Sequence, residues 1–338
     1  MKIFSILMIM SMFVVGVPLE SSMGNSDRAD IFEVSFQTTK DAVYQKEKQE
    51  RKNKQKEPAN KDNEKSLKYD FAICAIFQDD APFLHEWIEF HKIQGTQHFF
   101  LYNNCSEDNY LEVLAPYIEA NEVTLVDWPY LHDNADRFRW NSIQCGAYIH
   151  CLQNYGTNST WIAFIDTDEF LFCPSGKTLA NFLKLFKNYG GVAANWNMFG
   201  TSNIYDIPTN GLMIEFLTRS AGNDYGANLH IKSIVQPKYT VICENPHYFQ
   251  YIPGKYAVET DYTPVNGAFS STIKLDKLCI NHYWTRTERY LLENKIPRRN
   301  HMYGEDKSGI LKMVEELNSE ENKAILQFVP KLRKNMGF

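Results

Sequence analysis

The amino-acid sequence predicts an α/β domain with a mostly parallel central sheet flanked by helices. Three observations predict it. Continuous apolar runs recur from residue 69 onward, as expected of strands buried on both faces. Each run ends in a polar loop, and the stretches between runs carry apolar residues at helical spacing. One run, Trp161–Ile165, leads straight into Asp166-Thr167-Asp168-Glu169, so acidic residues crowd one strand's carboxyl end.

Phe71–Phe77 is the first strand, ending in Gln78-Asp79-Asp80. Pro82 suits the first turn of a helix. In that helix Phe83, Leu84, Trp87, Ile88, His91 and Ile93 form one face, Glu86, Glu89 and Lys92 the other, and Gly95 ends it. His98–Tyr102 is the second strand, and Asn103–Asn109 is its polar loop. Leu111, Val113, Leu114 and Tyr117 mark a second helix, and Val123–Val126 is a third strand leading into Asp127-Trp128-Pro129. This β-α-β-α-β order argues a parallel sheet with right-handed crossovers. Residues 141–154 fit another helix ahead of the Trp161 strand. The second half is less regular. A helix follows Ser175-Gly176, a strand runs Gly191–Trp196, and apolar stretches recur at Leu212–Phe216, Leu229–Val235 and Leu278–Trp284. No internal repeat is present.

A chain of 338 residues with 44% hydrophobic and 14% aromatic content can bury a sizeable core. The net charge of -6 offers no basic footprint, so no nucleic-acid partner is expected. Cys74, Cys105, Cys145, Cys151, Cys173, Cys243 and Cys279 show no C-x-x-C pair and no zinc spacing. Residues 1–22, with an apolar run from Ile3 to Val17, read as a signal peptide or a short membrane anchor. Residues 23–68 read as a disordered stalk, because Lys46–Glu57 mixes charges and has no apolar face. The domain proper is expected over residues 69–304, and residues 305–338 read as an amphipathic helix and a basic tail.

Carboxylates as close as Asp166, Asp168 and Glu169 raise one another's pKa unless a cation neutralises them. A divalent metal that bridges them to a phosphate-bearing substrate is the economical reading, with a solvated acidic turn as the alternative. The carboxyl ends of strands are where open α/β sheets bind ligands. Neither G-x-G-x-x-G nor G-x-x-x-x-G-K-[ST] occurs, so polar loops and the acidic site would have to hold the phosphates.

Several stretches in order resemble glycosyltransferase family 92, a GT-A-type group that uses nucleotide sugars. They are Ala75–His91, Phe99–Asn104, Asp127-Trp128-Pro129, Ile165–Phe170, Trp196–Ser202, Lys232–Pro237 and Asn281–Thr285. Gln78-Asp79-Asp80 and Gln236 depart from the family pattern, where Lys-Asn-Glu and Arg are expected. The resemblance implies a single GT-A-like domain with a Rossmann-like sheet and a metal-dependent, inverting transfer of a hexose such as galactose. The donor would be a UDP-sugar and the acceptor a glycan or glycoconjugate hydroxyl. Asp166, Asp168 and His282 would bind Mn²⁺ or Mg²⁺, and Lys232 would add a cation near the diphosphate. Gln78, Asp79, Asn103, Asn104, Ser106 and Asp108 would face the nucleotide, and Asp127 its base or ribose. Trp196 and the Phe199-Gly200-Thr201 corner would floor the acceptor site. Taken alone, His282 and Trp196 fit a core better than a site, and the Asn-rich loop equally fits turn chemistry. Glu215, set in the apolar run Leu212–Leu217, is the expected catalytic base, with Asp206 and Asp224 as competitors. A carbohydrate-binding or inactive relative on the same fold is the alternative function. The chemistry suits a Golgi-like membrane with a lumenal catalytic domain, or in a bacterium a membrane-associated or exported enzyme.

Overall fold

The computed structural model describes residues 67–130 and 137–338. The expected export or anchor segment and, but for Leu67 and Lys68, the expected stalk lie outside the described residues. The first half alternates β1 (Tyr69–Phe77), α1 (Ala81–Ile93), β2 (His98–Asn103), α2 (Tyr110–Glu119), β3 (Val123–Asp127), α3 (Arg137–Tyr155) and β4 (Ser159–Phe164). Strands β3, β2, β1 and β4 lie side by side in that order, all parallel. The continuous apolar run of β1 follows from its position. Phe71, Ile73 and Phe77 pack with Leu84 and Trp87 of α1, while Ala72, Cys74 and Ile76 join Tyr148 and Cys151 of α3. Side chains alternate across a strand, so a helix on each face demands apolar residues at every position.

The second half comprises β5 (Glu169–Phe172), α4 (Leu179–Leu183), β6 (Gly191–Met198), α5 (Met213–Phe216), β7 (Arg219–Ser220), β8 (Ile231–Val235), β9 (Thr240–Asn245), β10 (Tyr248–Tyr251), β11 (Ala257–Val258), β12 (Pro264–Val265) and β13 (Cys279–His282). Strand β8 lies antiparallel between β4 and β6, and β13 runs parallel to β6 and antiparallel to β5. The antiparallel insertion decides the site. With Ala163 opposite Ile234, the amino end of β8 lies beside the carboxyl end of β4, and His282 falls opposite Glu169.

After β13 come α6 (Glu288–Tyr290), a wide π-type turn (Leu291–Lys295), α7 (Ile296–Tyr303), α8 (Lys307–Leu317), β14 (Glu320–Glu321) and α9 (Val329–Met336). The carboxyl-terminal residues form part of the core: Phe328 packs edge-on against Phe90 and Phe172, and Leu332 is fully buried. This changes the outer face of α1, which helical periodicity assigns to solvent. Glu86 and Glu89 are 8% and 6% exposed. Glu86 accepts the backbone N–H groups of Met213 (2.7 Å) and Ile214 (3.0 Å) at the start of α5. Glu89 accepts from Tyr117 and Lys92. Periodicity marks a polar stripe but carries no information about what later chain covers it.

Candidate active site

A cavity of about 390 Å³ opens at the carboxyl ends of β1 and β4. It brings together Gln78, Asp166, Asp168, Trp196, Lys232 and His282, residues drawn from five separated stretches of chain. Thr167 and Asp80 line it as well.

Asp166 accepts from Lys232 Nζ at 2.9 Å and from Gln144 Nε2 at 2.7 Å. Lys232 is 1% exposed, because the antiparallel β8 carries it inside the sheet rather than to solvent. Burial disfavours its ammonium form, but Asp166 and Glu169 outweigh that and hold its pKa above the ordinary lysine value. Glu169 is fully buried; it accepts the N–H of Asp166 at 2.9 Å and lies 3.7 Å from Lys232. Burial, with Asp166 and Asp168 adding to it, pushes the Glu169 carboxyl well above its usual range against the pull of Lys232. Asp168 meets His282 Nε2 at 3.3 Å through one oxygen and Lys295 Nζ at 3.3 Å through the other. Burial works against the Asp168 carboxylate, yet Lys295, His282 and Arg286 hold it well below the usual range.

Asp80 ties the loops together. One carboxylate oxygen accepts from Arg286 Nη1 at 2.5 Å and the other from Thr167 Oγ1 at 2.5 Å. Arg286 is itself buried, with its guanidinium 3.8 Å from the Phe83 ring centroid. The Asp-Thr-Asp loop is thus pinned through its central Thr, while its two acids face the cavity.

The donor set fits a divalent cation. Asp168 Oδ1 and His282 Nε2 converge at 3.3 Å and both residues line the cavity. A carboxylate suits Mn²⁺ or Mg²⁺, an imidazole beside it favours the transition-metal ion Mn²⁺ over Mg²⁺, and such ions commonly take one or two carboxylates with water and substrate phosphates supplying the rest. Asp166 is directed to Lys232 and Gln144 instead, and among the described residues no three acidic, His or Cys groups form a complete cage.

Other expected site residues stand elsewhere. Asp79, Asn103, Asn104, Ser106, Asp108 and Asp127 are not among the cavity-lining residues. They knit the β1 and β2 loops to each other. Ser106 Oγ accepts the N–H of Asp79, Asp79 accepts that of Glu107, and Asp108 accepts that of Ala81 at the start of α1. Asn103 bonds Tyr110 and Asp127, and Asn104, 2% exposed, donates to the carbonyls of Trp128 and Tyr130. Gln236 donates to the carbonyls of Lys187 and Tyr189. Phe199 and Thr201 are fully buried, so the Phe199-Gly200-Thr201 corner is packing beside the site. Glu215 also lies outside the lining: it sits in the one-turn α5 and pairs with Arg333 of α9. The apolar run around it buries Leu212, Met213 and Ile214 against the core and turns the carboxylate toward the carboxyl-terminal helix. Sequence reading missed Asp80, Gln144, Arg286, Lys295 and Arg298. Only the basic residues at 295, 298 and 299, spaced for one helix face, left a signal.

A family model described as Glycosyltransferase family 92 matches residues 69–306. A family 92 protein of Arabidopsis thaliana is 26% identical over 204 residues, covering 56% of this chain and 33% of that protein. One of Oryza sativa subsp. japonica is 30% identical over 173 residues, covering 50% and 27%. The galactan β-1,4-galactosyltransferase GALS3 of Arabidopsis thaliana is 28% identical over 134 residues, covering 37% and 25%. The matched stretch thus spans a third or less of these relatives' length. Among solved structures, Staphylococcus aureus TarS 1-349 aligns with a TM-score of 0.32 at 12% identity, covering 50% of this chain and 47% of that one.

Proposed function

The chain belongs to glycosyltransferase family 92, and from that premise we propose that it transfers a hexose, galactose first among the candidates, from a UDP-sugar to a glycan hydroxyl. The observation that carries this reading is the meeting of Asp168 and His282 at 3.3 Å beside Lys232 and Lys295, at the edge of a cavity large enough for a nucleotide's diphosphate. The choice of galactose rests on the galactosyltransferase relatives.

In this reading Asp168 and His282 would hold a divalent cation, whose charge would offset that of the donor's diphosphate. Gln144 and Lys232 fix Asp166, and Asp80 holds the Thr167 hydroxyl so that the loop keeps its shape when charged ligands enter. Trp196, 4.4 Å from the His282 ring by centroids, offers an aromatic wall to a sugar. An inverting transfer needs a carboxylate to take the acceptor proton. Glu305 lines the cavity, held there by Arg299, and is the carboxylate this reading assigns to that role. Nucleotide sugars must reach this domain, so a lumenal, Golgi-like location accords with the chemistry.

The test is UDP release from a panel of UDP-sugars, with and without glycan acceptors, in Mn²⁺ and in chelator. Acceptor-dependent release that Asp168→Asn lowers on the order of a hundredfold or more supports the reading. Full activity in Asp168→Asn contradicts it.

A further inference from the structure

The cavity holds more cations than its carboxylates engage. Four lining carboxylates each have a basic partner: Asp166 with Lys232, Asp168 with Lys295, Asp80 with Arg286 and Glu305 with Arg299. Arg298 also lines the cavity, yet among the described residues it has no carboxylate partner. Its guanidinium lies 5.5 Å from the ring centroid of Trp140, which lines the same cavity from α3. An arginine held over an aromatic ring keeps its planar fork of N–H donors available at its edge.

Lys295 is the last residue of the π-type turn Leu291–Lys295, and Arg298 lies in the first turn of α7. A spacing of three residues places their side chains on one face of the helix. A π-type turn is a rare conformation that occurs frequently at functional sites. Here the turn presents Lys295 to the cavity, 5.2 Å from the Trp284 ring centroid. Its 3.3 Å contact with Asp168 is longer than the 2.9 Å contact of Lys232 with Asp166, and beyond the usual range for a charge-assisted hydrogen bond.

We propose that Lys295 and Arg298 form a basic strap that grips the diphosphate of a nucleoside-diphosphate donor. This assignment rests on the nucleotide-sugar reading above and names the part of the chain that recognises the donor's charge. A diphosphate entering a partly dehydrated cavity needs cations that are not already matched. Arg298 supplies a bidentate contact, and Lys295 supplies the N–H donors that Asp168 does not take. Lys232 and Arg286, each 2% exposed or less, remain with their carboxylates and hold the loop.

The experiment is calorimetric titration of the full chain in Mn²⁺ with UDP, UMP and GDP, for wild type, Lys295→Ala, Arg298→Ala, the double variant and Lys295→Arg, each checked by thermal melting. Wild type should prefer UDP over UMP. Each alanine variant should lose about tenfold in UDP affinity while UMP affinity changes by less than about threefold, with the double variant nearer a hundredfold and Lys295→Arg close to wild type. Arg298 is exposed, so its variant should melt as wild type does. Folded alanine variants that bind UDP like wild type would overturn the strap and leave the nucleotide-sugar reading standing. A folded wild-type protein that binds none of the three nucleotides would overturn both.

Discussion

Two clusters of buried and half-buried acids divide the molecule. Asp166, Asp168 and Glu169 meet Lys232, Lys295 and His282 at the rim of a cavity. Glu86, Glu89 and Glu215 lie where α1, α5 and the carboxyl-terminal α9 pack together, and they meet backbone N–H groups, Tyr117, Lys92, Asn335 and Arg333. In sequence the two clusters look alike, since acids interrupt apolar stretches in both. What separates them is the other side of the contact. In the first set Asp166 and Asp168 face open space that a charged ligand can enter, and the second set faces chain that has already filled it.

The largest predicted difference is in catalysis. Asp168→Asn and Glu305→Gln should each lower turnover on the order of a hundredfold or more, with melting temperatures within a few degrees of wild type. Steady-state rates on an accepted UDP-sugar check this. A cavity variant that keeps full turnover would break the comparison.

Next in size is a pH effect on stability in the packed cluster. Burial pushes the Glu86 carboxyl up to about 7, although the N–H groups of Ile214 and Met213 pull it down. The native state then holds a proton that the unfolded chain releases near its ordinary value of 4.5. Stability contributed by Glu86 is therefore fully present below about 4.5, falls as pH rises toward about 7, and levels off above it. The loss is on the order of 3 kcal/mol, taking 1.36 kcal/mol per unit. Glu86→Gln should remove that slope, so denaturant titrations should show the variant gaining on wild type across the window. Parallel curves would place the proton elsewhere.

The smallest effect belongs to Glu215. Its pairing with Arg333 is about one-third exposed on each side, which leaves the pair largely screened by solvent. Glu215→Gln should cost less than about 1 kcal/mol and leave turnover unchanged. A large loss of turnover with intact folding would return Glu215 to the chemistry.

The parallel half of the fold was legible because helices on both faces leave an uninterrupted apolar signature, as in Phe71–Phe77. The Asp-Thr-Asp loop was legible because like charges that close require a reason. Lys232 was half legible: its place on a strand was clear, but only the antiparallel insertion of β8 shows that it points inward at Asp166. Asp80, Arg286 and Lys295 were not legible. Each acts through a partner at least 87 residues away in sequence, and no local period encodes such a meeting. The same limit applies to Glu86, whose cover arrives with Met213 and Ile214.

The most direct test of the central claim is thermal stabilisation of the full chain by UDP, with and without Mn²⁺, in wild type and in Asp168→Asn. A ligand that binds only the folded state raises its stability by mass action. The predicted result is a rise in melting temperature with UDP that requires Mn²⁺ and vanishes in Asp168→Asn. A rise that is the same in both proteins, or none in folded wild type, would contradict a nucleotide-sugar site at this loop.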